Sequence, residues 1–360
     1  MTAAAVTVVI VNWNGREFLA DCLQSVLEQQ GVAGVRPIVS DNGSTDGSLE
    51  LLAEQFPAVE AIRSEQNNYT AANNRGVGMA EGRFALLLNT DAILQPDCLR
   101  ELVAALEQNP AAASVTPKIV FPDGRICTTG IEQRDDLYWI DRDGGGADDG
   151  DTGAPRSVLG VSGCCALFAV EAWRKVGGQD EAFHMYYEDV DLALTLRSQG
   201  FEALYAPAAR CVHIGHGSIK KAKTWKDELG ERNRLLVLAR HFGEQFAAEL
   251  VRSPWFQSAR PDEVAALLPL CARRLSNTTD ASVEQLQLEL MMAMRDQVRA
   301  LTGELDARWG EHRNLPKILT EREEWIGKLL DEVGRLRLWR LPGRRLKPGE
   351  RAFLDRLREK

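Results

Sequence analysis

A chain of 360 residues with 44% hydrophobic and 26% charged residues has an ordinary globular composition and room for one large domain or two. Its formal charge of −9 argues against a general attraction to nucleic acid. The seven cysteines form no C-x-x-C pair, which speaks against a zinc site or a disulfide framework and for a reduced, cytosolic compartment.

The start, "MTAAAVTVVIVNWNG", lacks a basic leader region, and its apolar run is too short to span a bilayer. No other stretch is long enough, so a soluble protein, at most attached to a membrane surface, is expected. "VTVVIV" (6–11) is a β-branched run that predicts a buried strand. "REFLADCLQSVLEQQ" follows as a helix, with Phe18, Leu19, Cys22, Val26 and Leu27 at helical spacing. "RPIVSDNGSTDGS" is a short strand breaking into turn residues, of which Ser44, Thr45 or Asp46 can cap the helix "SLELLAEQF". "VEAIRSEQNNYTAANNRGVGMAEG" predicts a strand, a polar loop and a helix. "RFALLLNTD" and "PDCLRELVAALEQN" are the next strand and helix, with Pro96 near the first turn. Four strand–helix units in sequence predict a doubly wound, mostly parallel α/β sheet.

Beyond them the pattern is less regular. "SVTPKIVFPDGRI" predicts extended segments, and the acidic, Gly-rich stretch 141–156 a mobile loop. "VSGCCALFAVEAWRKVGG" predicts a strand and a helix, "EDVDLALTLRSQG" a helix ending at Gly200, and "FEALYAPAARCVHIGHGS" a last strand. From about 224 onward helices take over, with apolar stripes at 290–305 and from Trp325 to Leu336.

Asp41 and Asp91 both end β-rich segments, so both are expected at the carboxyl-end edge of the sheet, where open α/β sheets bind ligands. Asp189 precedes a helix and His213 follows the last strand. Such a set suits a hard divalent cation, which needs only one or two protein ligands when substrate phosphates complete its shell, and Asp91 with His213 is chemically adequate. Each residue also has a plainer reading: Asp41 as a turn cap, Glu188, Asp189 and Asp191 as acids suited to a helix dipole, His213 and His216 as loop histidines. Vicinal Cys164 and Cys165 fit packing better than nucleophilic roles. Between Glu188 and Asp189 the residues alone do not choose a general base.

In order, "VTVVIVNWNG", "IVSDNGSTDGS", "NNYTAANNRG", "LLLNTDAIL", "GCCALFAVEAWRKVGGQDEAFHMYYEDVDLALTLRSQG" and "CVHIGHGS" resemble family 2 glycosyltransferases, closest to the bacterial rhamnosyltransferase-like branch that builds cell-surface polysaccharides. The resemblance covers about residues 5–245. It implies a GT-A nucleotide-sugar-binding domain at 1–245, a helical region at 246–360, and an inverting transfer dependent on Mg or Mn. It puts Asn12, Trp13 and Asn14 beside the nucleotide, Asp41 against its base, and Asn73, Asn74 and Arg75 along nucleotide and sugar. Asp91 matches the last acid of the family's D-x-D metal motif, Asp189 the general base, and His213 a histidine that reaches the metal. Two departures stand out: Asn89 replaces the first acid of D-x-D, and Tyr69 stands where many relatives have Gly-Phe.

The implied partners are a nucleotide-sugar donor, with dTDP-rhamnose as the branch's suggestion, and a glycan or lipid-linked acceptor. A sugar nucleotidyltransferase would need a Gly-rich basic loop after the first strand, and "NWNGREF" is not one. A non-catalytic nucleotide-sugar-binding scaffold subunit is the alternative that Asn89 keeps open. The tail 335–360 has ten Arg or Lys against three acids. It is either a solvated basic end or an attachment to the inner face of the cytoplasmic membrane, with the helical stripes pairing two copies.

Overall fold

The computed structural model describes residues 6–215 and 223–255, together with 267, 270 and 271. The two apolar stripes, the basic tail and His216 lie outside them. The chain divides into two compact units, Met1–His241 and Phe242–Lys360. Of the second, the helix Gly243–Arg252 is the longest described element.

The first unit opens with β1 (Val6–Asn12), α1 (Arg16–Leu27), β2 (Val35–Asp41), α2 (Ser48–Gln55), β3 (Glu60–Arg63), α3 (Tyr69–Gly78), β4 (Phe84–Asn89), β5 (Ala92–Leu94) and α4 (Cys98–Gln108). It continues through β6 (Ala112–Val120), β7 (Ile126–Thr128), β8 (Ile131–Gln133), β9 (Trp139–Asp141), β10 (Arg156–Val158), β11 (Cys165–Ala169) and α5 (Val170–Val176). A short turn of 3-10 helix (Glu181–Phe183), α6 (Glu188–Ser198), β12 (Glu202–His213) and α7 (Lys223–His241) complete it. The main sheet runs β10-β12-β6-β11-β4-β1-β2-β3, with β5 added on β12 and β7 on β6, and β8 pairs with β9 apart from it.

From β3 through β2 and β1 to β4 every pairing is parallel, as the four strand–helix units predict. β11 then enters antiparallel between β4 and β6, and β12 lies parallel to β6. The alternation of side chains across the pleat divides the core in two. Val8, Ile10, Phe84, Leu86 and Leu88 pack with α1 and α4, while Val9, Ala85 and Leu87 pack with residues of α3, α5 and α6. Each such buried leucine contributes about 2 kcal/mol of transfer free energy. α3 comes so close to β1 that a Cβ on Gly76 would stand 2.3 Å from a Val9 methyl; only glycine permits that approach.

The N-cap of α2 is Gly47, in the left-handed conformation, and not one of the three residues offered; of these, Asp46 lies just before it. Its carboxylate accepts from the Ser48 amide at 3.0 Å and from the Arg16 amide at 2.9 Å, joining the starts of α1 and α2.

The stretch 141–156, expected as a mobile loop, is instead tied down. Lys118, fully buried on β6, reaches Asp148 at 2.7 Å and the Asp151 carbonyl at 2.9 Å. Arg210 meets Asp148 and Arg156 meets Asp151, each at 2.6 Å. Two cations against one carboxylate, with the Lys118 hydrogen bond first among them, hold Asp148 well below the usual carboxylate range. The acids that suggested mobility are the anchors, because a buried ammonium needs such partners.

Candidate active site

Parallel register sets the first layer of polar groups. Asn12 at the end of β1 stands opposite Asp41 at the end of β2, and Val11 opposite Asn89 at the end of β4. The Asn12 amide donates to Asp41 at 3.0 Å and lies 2.9 Å from the Ser44 hydroxyl. Asp41 also accepts from the Gly43 and Ser44 amides, both at 3.0 Å. It therefore serves as the turn cap of its plainer reading, and its carboxylate is fully buried. Asn14, at a positive φ of 52°, takes part in the same turn: its amide N–H donates to Ser44 and its side chain accepts from the Thr45 amide at 2.8 Å. Between them Trp13 keeps 37% of its surface exposed, one of three large apolar side chains so placed among the described residues.

Beyond β4 the chain turns through Thr90, whose hydroxyl donates to the Val11 carbonyl at 2.6 Å. β5 then pairs antiparallel with the end of β12, opposing Ala92 and His213. That pairing brings two residues 122 positions apart together: His213 Nε2 is 3.3 Å from Asp91 Oδ1. Behind the imidazole, His213 Nδ1 lies 3.5 Å from the Cys127 thiol, and Phe121 stacks on the ring at 6.5 Å. Burial pushes that thiol up to about 12. Asn89 Oδ1 is turned to the Tyr69 hydroxyl, 2.9 Å away. One carboxylate and one imidazole converge here, and among the described residues no cluster of three or more His, Cys, Asp or Glu suited to a metal occurs. The donor set fits a divalent cation only when other oxygens, such as those of a diphosphate, complete the shell.

The second carboxylate pair begins α6. Asp189 Oδ2 accepts from the Gly163 amide at 3.1 Å and Oδ1 from the Val190 amide at 2.9 Å. Burial raises Asp189 to about 6, against the lowering effect of these amides. Glu188 rises to about 8, through burial first and the neighbouring Asp189 charge second, and its Oε2 has no partner among the described residues. Both carboxyls are thus raised, Glu188 further than Asp189, so of the two Asp189 gives up its proton more readily.

The turn that delivers them is strained. His184, Tyr186 and Tyr187 all have positive φ, between 60° and 69°, a conformation that costs a non-glycine residue about 1–2 kcal/mol. What holds it is Asn233, buried on α7, whose amide nitrogen lies 2.8 Å from the carbonyls of Phe183, Met185 and Tyr186. Arg232 adds a bond to the Ala182 carbonyl at 3.1 Å, and from the other side the Thr70 amide donates to the His184 carbonyl at 3.2 Å. Asp191, one turn into α6, is a structural contact, paired with Arg240 at 2.6 Å and His241 at 3.0 Å. Trp139 of β9 meets Tyr187 edge-on at 6.1 Å, and the Tyr138 ring lies 4.2 Å beneath the Arg234 guanidinium.

The remaining expected residues are placed as follows. Asn73 donates to Gln179 at 3.0 Å, and Asn74 is bonded to both the N–H and the carbonyl of Gln179, so these amides hold α3 to the segment before α6. Arg75 donates to Asn42 at 3.1 Å, and its buried Nε has no partner among the described residues. Cys164 and Cys165 are buried free thiols, raised by desolvation and inert as nucleophiles. Tyr69, Gly163, Ser44 and Asn233 were not singled out from the sequence for these roles. The only hint was Tyr69 as a departure from the resembled pattern.

Residues 7–177 match the model described as glycosyl transferase family 2. The chain is 28% identical over 219 residues to N-acetylglucosaminyl-diphospho-decaprenol L-rhamnosyltransferase of Mycobacterium tuberculosis, covering 53% of this chain and 71% of that protein. It is 28% identical over 216 residues to the O-antigen biosynthesis protein RfbC of Myxococcus xanthus, covering 57% of this chain and 17% of that one. The chain spans less than a quarter of the length of the first two relatives it matches. Among solved structures, GalNAc-T7 with UDP, GalNAc and Mn2+ shares the fold at a TM-score of 0.56 and 16% identity, over 71% of this chain and 52% of that one. Strand order, register and these likenesses agree on the fold: residues 7–177 match glycosyl transferase family 2, and the structure has a GT-A fold.

Proposed function

We propose that the protein is an inverting glycosyltransferase that moves a sugar from a nucleotide-sugar donor to a hydroxyl of a glycan or lipid-linked acceptor in surface-polysaccharide synthesis. The observation that carries this reading is the meeting of Asp91 and His213, 3.3 Å apart, on the same strand-end edge that β11 and α6 bring Asp189 to. The rhamnosyltransferase and the O-antigen protein among the relatives support a polysaccharide role and make dTDP-rhamnose the first donor to try.

Inversion requires the acceptor hydroxyl to lose its proton as it attacks the anomeric carbon from the face opposite the leaving diphosphate. Asp189, held by two amides and raised less than its neighbour Glu188, is the group suited to take that proton, an effect typically about 10²–10⁴-fold in rate. Glu188, raised further by burial and by the Asp189 charge, holds its own proton more tightly and is less available as the base. Asp91 and His213 would hold a Mg or Mn ion, whose chemistry is to offset the charge gathering on the diphosphate. Trp13 offers an exposed ring for a base to stack on, and the Asn12–Asp41–Ser44 turn fixes the floor beneath it. A location at the cytoplasmic side suits a nucleotide-activated donor; no described helix is long and apolar enough to cross a membrane. Contact of the basic tail with anionic lipid and pairing of two copies through the apolar stripes of the C-terminal region belong to the same proposal.

The test is a panel of nucleotide sugars assayed for transfer or donor hydrolysis with Mn2+, with Mg2+ and with chelator. Metal-dependent turnover of one donor is expected. Donor binding with no turnover under any metal condition would favour the scaffold-subunit reading instead.

A further inference from the structure

The Tyr69 hydroxyl lies 2.8 Å from the Gly163 carbonyl and 2.9 Å from Asn89 Oδ1, with a single proton to offer the two acceptors. Gly163 is the residue whose amide donates to Asp189. Its lack of a side chain leaves room for the carboxylates: a Cβ there would stand 3.2 Å from Glu188 Oε1, a tight contact, and 3.6 Å from Asp189 Oδ2. That choice carries a difficulty, because glycine is the backbone least able to hold one conformation by itself. An amide meant to steady a carboxylate needs some other restraint on its position. β11 begins two residues later, and its pairing with β4 fixes only the far side, through the Asn89 amide and the Cys164 carbonyl at 2.9 Å.

We infer that the Tyr69 hydroxyl is a positioning group for Asp189, acting through Gly163: it pins the Gly163 carbonyl and so fixes the amide that holds the carboxylate. The role rests on the reading of Asp189 as the base, but the contact geometry stands apart from it. Tyr69 is suited to the task because burial, and after it the nearby Glu188, push its phenol well above the ordinary value, so it remains a donor throughout the working pH range. The titratable groups that face Asp189 are Glu188 on its own helix, Asp141 on β9 and Tyr69 on α3. Removing a neutral phenol hydroxyl leaves that charge environment as it was. Any change in Asp189 then reports the hydrogen bond from Gly163.

Tyr69→Phe keeps the ring and removes only the hydroxyl. The Asp189 titration is read in the full-length chain by carboxyl 13C NMR, its resonance assigned by its loss in Asp189→Asn. A bond that favours the charged form is loosened, so the midpoint is expected to rise by about half a pH unit or more, a threefold change in the ionisation ratio. Asn89→Ala leaves the hydroxyl its Gly163 acceptor and should leave the midpoint within about 0.2 unit. An unmoved midpoint in folded Tyr69→Phe overturns the inference. So does an equal rise in Asn89→Ala, which would mean general loosening. Where transfer is measurable, the acid limb of kcat should move by the same amount while donor KM stays within about twofold, the split expected of a group that does not bind donor. A wild-type chain that transfers no sugar would defeat the proposed function, and the titration would still decide Tyr69.

Discussion

Along β2 and β1 the polar groups at the strand ends bond to each other within adjoining turns: Asn12 to Asp41 and Ser44, Asn14 to Ser44 and Thr45. The region around Asp189 is built the opposite way. Its turn is strained, and its restraints arrive from α3, from Gly163 two residues before β11 and from α7, between 26 and 114 positions away. Parallel register makes the first region nearly self-assembling, since placing β1 beside β2 brings Asn12 to Asp41. The second depends on the completed fold. The first should therefore tolerate changes elsewhere in the molecule, and the second should report them.

The comparison is broken hardest at its catalytic end. Asp189→Asn should lower kcat by about a thousandfold while leaving nucleotide binding intact by calorimetry, and Glu188→Gln should cost less than about tenfold. The reverse ranking would exchange the roles of the two carboxylates. On the other side, Asp91→Ala should weaken Mn2+-supported donor binding by about 10–100-fold, with little effect on binding measured in chelator.

A more remote change separates the regions better. Asn233→Ala removes the amide that reaches three carbonyls of the strained turn, and should reduce kcat by about tenfold with donor KM unchanged, since small misplacement of a base is costly. A rise in donor KM without loss of kcat would show the two regions to be one.

The smallest effect concerns stability. Glu188 and Asp189 are both raised in the folded protein, so the folded state binds more protons than the unfolded chain between about pH 4 and 8. The pair's contribution is therefore most favourable below pH 4 and is lost as pH climbs through about 6 and 8. Glu188→Gln should raise Tm by a few degrees at pH 8 and leave it unchanged near pH 4, followed by thermal unfolding across pH.

Much of the first region was legible in the sequence because its signals are local. An apolar strand ending in Asn, Asp or Thr marks its own carboxyl end, and the Asp91 and His213 expectations each needed only the strand beside them. The antiparallel entry of β11 was not legible, since "GCCALF" reads as a buried strand whichever way it runs. Nor was the anchoring of 141–156, where Gly and Asp carry the signature of a loop and the partner that changes its meaning, Lys118, lies 30 residues upstream of Asp148. Asn233 looked like one more polar residue in "ERNRLLVLARHF"; its importance comes from a turn about 50 residues earlier, and no periodicity records that.

The pairing of Asp191 with Arg240 and His241 bears on how such a domain travels between proteins. The family-model match ends at 177, yet a chain ended anywhere before 240 would leave a carboxylate of 1% exposure without Arg240 and His241, and breaking such a buried pair costs about 3–5 kcal/mol. Recombination that grafts this module into longer polypeptides, or an engineer who does the same, is thus obliged to carry all of α7 along. The heritable cassette is delimited by an ion pair and not by the reach of a shared motif.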